Sequence, residues 1–190
     1  GFKMGDAKVV DLTLGILSDP FGSGHMGITA ENIAKEYGFS REQLDNYSVE
    51  SHQKANSAIN DGFFNEQIVP ITVKLDRTEF EFTTDEHVRP KANIEQLAKL
   101  KPAFKKDGLV TAGNASGLND GAAALVLTSM AEANKRGLKP RGRFVSYAFT
   151  GVQPNIMGLG PISAVNKALE QAKLTINDLD IIESNEAFAA

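Results

Sequence analysis

Residues 109–129 read LVTAGNASGLNDGAAALVLTS. A run of small residues, punctuated by Gly113, Gly117 and Gly121, feeds a stretch from Ala122 to Thr128 with no polar alternation. An unalternating apolar run of this length reads as a strand covered on both faces, around Ala124–Thr128, and such strands belong to layered α/β folds. The residues after it keep the same rhythm. Ser129 with Glu132 makes a capping box, and the helix it opens is expected to end near Gly137. GRFVSYAFTG (142–151) reads as a strand, and GPISAVNKALEQAKL (160–174) as an amphipathic helix with Pro161 in its first turn. Its apolar stripe is Ile162, Val165, Ala168, Leu169 and Ala172. DLDIIES (178–184) reads as a final strand. The order from residue 122 is therefore β, α, β, α, β, which predicts an α/β layered core.

Upstream the rhythm differs. KVVDLTLGIL (8–17) is a short apolar element that suits strand or helix equally, and DPFGSGHMG (19–27) reads as a Gly-rich linker. ITAENIAKEYGF (28–39) spaces Ile28, Ile33, Ala34 and Tyr37 along one helical face and stops at Gly38. SREQ (40–43) is a capping box that opens a second helix carrying Leu44, Tyr47, Ala55, Ala58 and Ile59, running to about Asn60. So tight a joint predicts an αα-hairpin. EQIVPITVKLDRTEFEFT (66–83) alternates and is rich in β-branched residues, with Pro70 marking an edge or irregular strand. NIEQLAKL (93–100) is a short helix capped by Asn93. Residues 15–110 thus read as an inserted α+β subdomain.

Composition narrows the function classes. The chain has 190 residues, 42% of them hydrophobic, enough to bury a core as one domain or as one domain with a satellite. Charged residues make up 23% and the net charge is −4, ordinary for a soluble cytoplasmic protein and unlike a basic nucleic-acid binder. No run approaches the roughly 18 apolar residues of a membrane helix, and GFKMGDAKVV (1–10) lacks a secretory pattern. Cys is absent and His occurs 3 times, at His25, His52 and His87, which removes disulfides, Cys nucleophiles and Cys-based zinc sites.

Four stretches carry candidate chemistry. HVRPKANIEQLAKLKPAFKK (87–106) gathers Arg89, Lys91, Lys99, Lys101, Lys105 and Lys106 inside an acidic chain. Such a segment reads first as a solvated face balancing the acidic DRTEFEFTTDE (76–86), and it also suits a compact anion such as a nucleotide phosphate. TAGNASGLNDG (111–121) lets backbone approach a ligand and offers the Ser116 hydroxyl, although a tight connection under a sheet needs the same small residues. GHMG (24–27) presents His25 and Met26 either to a pocket or as ordinary loop residues. Asn185, at the expected end of the last strand, suits a ligand-handling amide or a helix cap, and the two are compatible.

Taken in order and spacing, HMGITAENIAK (25–35), KPAFKKDGLVTAGNASGLNDGAAALVL (101–127), MGLGPISA (157–164) and NEAFA (185–189) resemble the thiolases, most closely the biosynthetic acetyl-CoA acetyltransferases. The resemblance covers essentially the whole chain. It implies a partial thiolase-like α/β/α core with the inserted loop subdomain. Residues 1–130 would be the later part of the first thiolase half, with a CoA-binding subdomain at about 15–110, and 138–190 the start of the second half. The implied chemistry is acyl transfer between two acetyl-CoA molecules through a Cys thiolate, giving acetoacetyl-CoA, with the CoA thioester as substrate and no further cofactor or metal. Asn185 matches the Asn whose bound water helps form an oxyanion hole, with a His. Ser116 and Ala112 match positions beside the pantetheine, Arg89 one near the adenine and phosphates, and Phe104 and Met157 apolar walls. His25 and Met26 match tunnel residues, Phe188 the pocket floor, and Tyr47 a position near CoA in some members. Homo-dimers or homo-tetramers are the family's assemblies, with neither nucleic acid nor membrane as partner.

The chain also departs from the family pattern. It holds no Cys, and none of its three histidines sits in a Gly-His-Pro context. In the family the nucleophilic Cys precedes the matched region, and the Gly-His-Pro motif and second Cys follow NEAFA. The expectation is an internal thiolase segment, inactive alone. The alternative is a non-catalytic CoA- or lipid-binding module of the same fold. A ketoacyl synthase fits poorly, because NEAFA and the loop insert are thiolase features.

Overall fold

The computed structural model describes residues 4–5 and 8–190. The chain divides into two compact units: one holds the chain up to Gly117 with Pro154–Ile156 and Asn185–Ala190, the other Leu118–Gln153 with Met157–Ser184.

In the first unit, helix starts and stops follow the capping signals. The element at 8–17 resolves as helix α1, Leu12–Ile16, whose N-cap Asp11 accepts from the Leu14 amide at 3.0 Å. The Gly-rich linker holds a small hairpin, β1 (Ser18–Asp19) against β2 (Gly24–His25). Its turn is held by the Ser23 amide donating to Asp19 Oδ2 at 2.7 Å, with Gly22 and Gly24 at φ 95° and 84°. Helix α2 runs Met26–Tyr37 and ends on Gly38, left-handed at φ 70°. Helix α3, Arg41–Asn60, opens with both halves of the Ser40–Gln43 capping box formed. The alternating segment folds back as β3 (Ile71–Leu75) paired antiparallel with β4 (Thr78–Phe82). Helix α4, Ile94–Leu97, is capped by the Asn93 side chain and packs on α3. Ala30, Ile33 and Ala34 of α2, Leu44 of α3, Leu97 and Val110 form the apolar core. Tyr37 and Tyr47, expected on buried faces, are 54% and 47% exposed, and Tyr37 stacks on Phe39.

In the second unit, α5 (Met130–Lys135) starts at Ser129, which accepts from the Glu132 amide, and α6 (Gly160–Ala172) has Pro161 in its first turn. The expected strands at 124–128, 142–151 and 178–184 form no ladder. Residues 144–150 instead lie along α6 through side chains: Ser146 donates to the Ala168 carbonyl at 2.8 Å, and Thr150 and Ser163 hydroxyls meet at 2.7 Å. Without a paired sheet beneath it, the stripe of α6 is only partly covered: Ile162 is 58% and Val165 44% exposed, while Ala168, Leu169 and Ala172 are half-buried. The apolar run itself is bare, Val126 reaching 95%. A strand buried on both faces needs neighbours that the described residues do not bring to it. Among the described residues no helix is long and apolar enough to cross a membrane.

Candidate functional site

The site grows from a buried polar frame. Glu31 occupies the apolar face of α2, and its carboxylate accepts from the Leu109 amide (2.8 and 2.9 Å) and the Val110 amide (2.8 Å). Asp45 of α3 is buried and pairs with Arg41 at 2.7 Å, and the Arg41 guanidinium also donates to the Leu97 carbonyl. Asn114 joins these elements. Its Oδ1 accepts from the Thr111 amide (2.7 Å), and its Nδ2 donates to Asp45 Oδ1 (2.8 Å) and the Leu109 carbonyl (3.0 Å). Every buried side-chain donor and acceptor among the described residues has a partner, so the frame avoids the cost of stranded polar groups and fixes the loop 109–117 as a unit. Gly113 and Gly117 permit close approach: a Cβ at Gly113 would meet Leu100 at 2.5 Å, and one at Gly117 would strike the His87 ring.

The carboxy-terminal segment docks on this loop. The Ser116 amide donates to the Ala187 carbonyl (2.9 Å) and the Ala189 amide to the Asn114 carbonyl (3.0 Å), so Ala115 and Phe188 form an antiparallel bridge. Asn185 therefore does not sit at the end of a paired strand, nor does a helix start there. Residues 181–186 lack regular structure, and residues 187–189 at the end of NEAFA are held against the loop instead. The reason is that its hydrogen bonds go to the loop rather than to a sheet or to itself. Asn185 is exposed.

Next to Asn185, the Glu186 carboxylate accepts from the Tyr47 hydroxyl (2.5 Å) and the Ser51 hydroxyl (2.8 Å). Those bonds, Tyr47 first, hold its pKa below the usual carboxylate range, and the same carboxylate raises that of the Tyr47 phenol. A cavity of about 230 Å³ opens here, lined by Tyr47, Ser51, His52, His87, Ser116 and Glu186 among others. His52 Nδ1 accepts the Arg89 amide at 3.2 Å, and its ring centroid lies 6.5 Å from that of His87. Burial, then the nearby His87 and Arg89 charges, lower the His52 pKa. In the same unit, His25 stacks on Phe104 (4.7 Å, 23°), and Phe104 meets Phe188 edge-on at 6.1 Å. His25 also caps α2 by accepting the Gly27 amide at 3.0 Å, and a Cβ on Gly27 would strike the Phe104 ring. Among the described residues no group of three or more His, Asp or Glu could hold a metal ion.

This chain matches the family model for the thiolase N-terminal domain over residues 1–131 and that for the thiolase C-terminal domain over residues 138–190. The chain belongs to the thiolase family. Among its relatives are a beta-ketothiolase, BktB, of Cupriavidus necator, 56% identical over 191 residues, and an acetyl-CoA acetyltransferase of Shinella zoogloeoides, 52% identical over 191. Both alignments cover 100% of this chain, with 48% and 49% of the relatives. The chain thus spans about half the length of the relatives it matches. The backbone follows solved thiolases: the Bacillus anthracis acetyl-CoA acetyltransferase at TM-score 0.87 and 48% identity, and the human mitochondrial 3-ketoacyl-CoA thiolase in complex with CoA at 0.86 and 43%. Each superposition covers 100% of this chain, with 48% and 47% of the solved chain. The α/β thiolase class expected from sequence holds, even where strand ladders are absent.

In this thiolase the residues singled out in the sequence fall into groups. Ser116 and Tyr47 line the cavity, and Arg89 is tied to its His52 wall. His25, Phe104 and Phe188 form the aromatic cluster, with half-buried Met26 beginning α2 beside it. Ala112 is exposed on the loop, and Asn185 precedes the docked strip. Met157 lies in the other unit, 43% exposed. Glu31, Asn114 and Glu186 were missed as site-forming residues. Glu31 did leave a signal, an ionisable side chain three residues from Ile28 and from Ala34 on the apolar stripe. Asn114 stands inside TAGNASGLNDG, where no local pattern names its partners Asp45 and Leu109.

Proposed function

We propose that this chain supplies the CoA-handling part of a thiolase that condenses two acetyl-CoA molecules to acetoacetyl-CoA and catalyses the reverse thiolysis. A thiolate attacks the thioester carbonyl of acetyl-CoA, the acyl–sulfur bond to the enzyme forms, and CoA leaves as its thiolate. The second acetyl-CoA loses an α-proton to a base. Its carbon attacks the acyl-enzyme carbonyl, releasing acetoacetyl-CoA and restoring the enzyme thiolate. No Cys occurs in these 190 residues, so the sulfur comes from elsewhere in the protein.

The observation that supports this reading is the pairing of Ala115 with Phe188, which docks the end of NEAFA on the small-residue loop that carries Ser116. A thioester seated along the loop would present its carbonyl near that segment. Asn185 then serves negative charge developing on oxygen, through a bound water, while Ser116, Ala112 and Tyr47 border the pantetheine path. His25, Met26, Phe104 and Phe188 wall the acyl end, and Arg89 with the lysines of 91–106 faces the phosphates. Residues 1–130, with the subdomain at 15–110, form the later part of the first thiolase half, and 138–190 the beginning of the second. The intact enzyme works in the cytoplasm as a homo-dimer or homo-tetramer.

Steady-state kinetics of the intact protein test these roles. Asn185→Ala lowers kcat on the order of 100-fold with little change in KM, because an oxyanion contact matters chiefly in the transition state. Ser116→Ala and Arg89→Ala raise KM for acetyl-CoA. An Asn185→Ala enzyme with undiminished kcat removes the role given to Asn185, and CoA binding without turnover by the intact protein points to a binding module instead.

A further inference from the structure

Glu186 lies between Asn185 and the docked strip. The backbone pairing with the loop begins only at Ala187, so it does not itself hold residue 185. The Glu186 carboxylate, by contrast, is gripped at both oxygens from α3, by Tyr47 at 2.5 Å and Ser51 at 2.8 Å. Tyr47 and Ser51 are four residues apart, so they share one helical face and converge on one target. These contacts join positions 139 and 135 residues apart in sequence, which makes them long-range ties rather than local capping. Both are charge-assisted, the stronger kind of hydrogen bond, and the downward pKa shift of Glu186 is consistent with an ionised clamp.

We infer that Glu186 is a positioning residue: clamped by Tyr47 and Ser51, it fixes the backbone at Asn185 and thereby the aim of the Asn185 amide. The inference rests on the acyl-transfer reading above. An amide that acts on developing charge works only if it is already aimed, and about 1 Å of looseness in its support is enough to degrade it. The geometry also gives the Tyr47 hydroxyl a task, holding Glu186, that is separate from contact with CoA.

Kinetics of the intact thiolase with acetyl-CoA decide the matter. Glu186→Ala lowers kcat about tenfold and leaves KM within about twofold, the split expected when a transition-state contact loses its aim. Glu186→Gln recovers most of the rate, since its amide oxygen accepts from Tyr47 while its NH₂ donates to the Ser51 hydroxyl. Tyr47→Phe lowers kcat about threefold, and the Glu186→Ala/Tyr47→Phe pair is no slower than Glu186→Ala, because both act through one contact. If Glu186→Ala does not fold, Tyr47→Phe/Ser51→Ala removes both donors and carries the same kcat expectation. Unchanged kcat in these variants overturns the inference. So does a Tyr47→Phe enzyme with raised KM and intact kcat, or additive losses in the pair. A wild-type protein that does not turn over acetyl-CoA defeats the acyl-transfer reading and this inference with it. An active wild type indifferent to every variant defeats the inference alone.

Discussion

A carboxylate on the apolar face of a helix is costly unless its oxygens are met, and Glu31 meets that condition with the Leu109 and Val110 amides. Glu31→Ala leaves those two amides without an acceptor. Stability falls by roughly 2–4 kcal/mol, read from the denaturant midpoint. Glu31→Gln also destabilises, because its NH₂ brings donors toward donors. Single residues were unevenly legible in the sequence. Gly38, Ser40 and Asn93 announced their roles because caps obey rules only a few residues long. The Tyr47–Glu186 contact had no such signature, since nothing in a helical period or turn motif encodes a partner 139 positions away.

At the scale of elements, the docking of loops on α3 is tied to titrating groups. Lowering the His52 pKa means the folded state prefers the neutral ring, so folding is penalised as pH falls through the ordinary value of 6.5. Protonation at Nδ1 also removes the acceptor of the Arg89 amide. An NMR titration therefore places the His52 midpoint below 6.5, with hydrogen-exchange protection of the Arg89 amide lost across the same step. Glu186 works in the same direction at lower pH. Its folded pKa lies below the reference 4.5, so its contribution is present above that value and fades as pH falls through the folded pKa. Helices were the readable elements, since their signals are periodic and local. The strands expected at 124–128, 142–151 and 178–184 form no ladder: the runs are apolar as the sequence reads, but pairing depends on neighbours that periodicity does not name.

Across the whole molecule the surface is the dominant fact. Large apolar side chains stand exposed among the described residues: Leu125, Val126, Phe149 and Ile181 are all at least 82% exposed. Faces of that kind are covered by other protein or they associate. A polypeptide of only these 190 residues is expected to bind ANS, to self-associate on size exclusion and to lack a sharp cooperative melt. A monomer with one steep transition and no dye binding would contradict this.

The bridge between Ala115 and Phe188 separates its partners by 73 positions, and that separation has a meaning in time as well as in space. At 5–20 residues per second on a ribosome, the loop edge emerges roughly 4 to 15 s before the segment that seals it. During that interval Glu31 and Asn114 can already shape the cradle, while Asn185 has yet to be made. Nascent chains would thus form the buried frame of the loop first and receive the segment that docks on it only later.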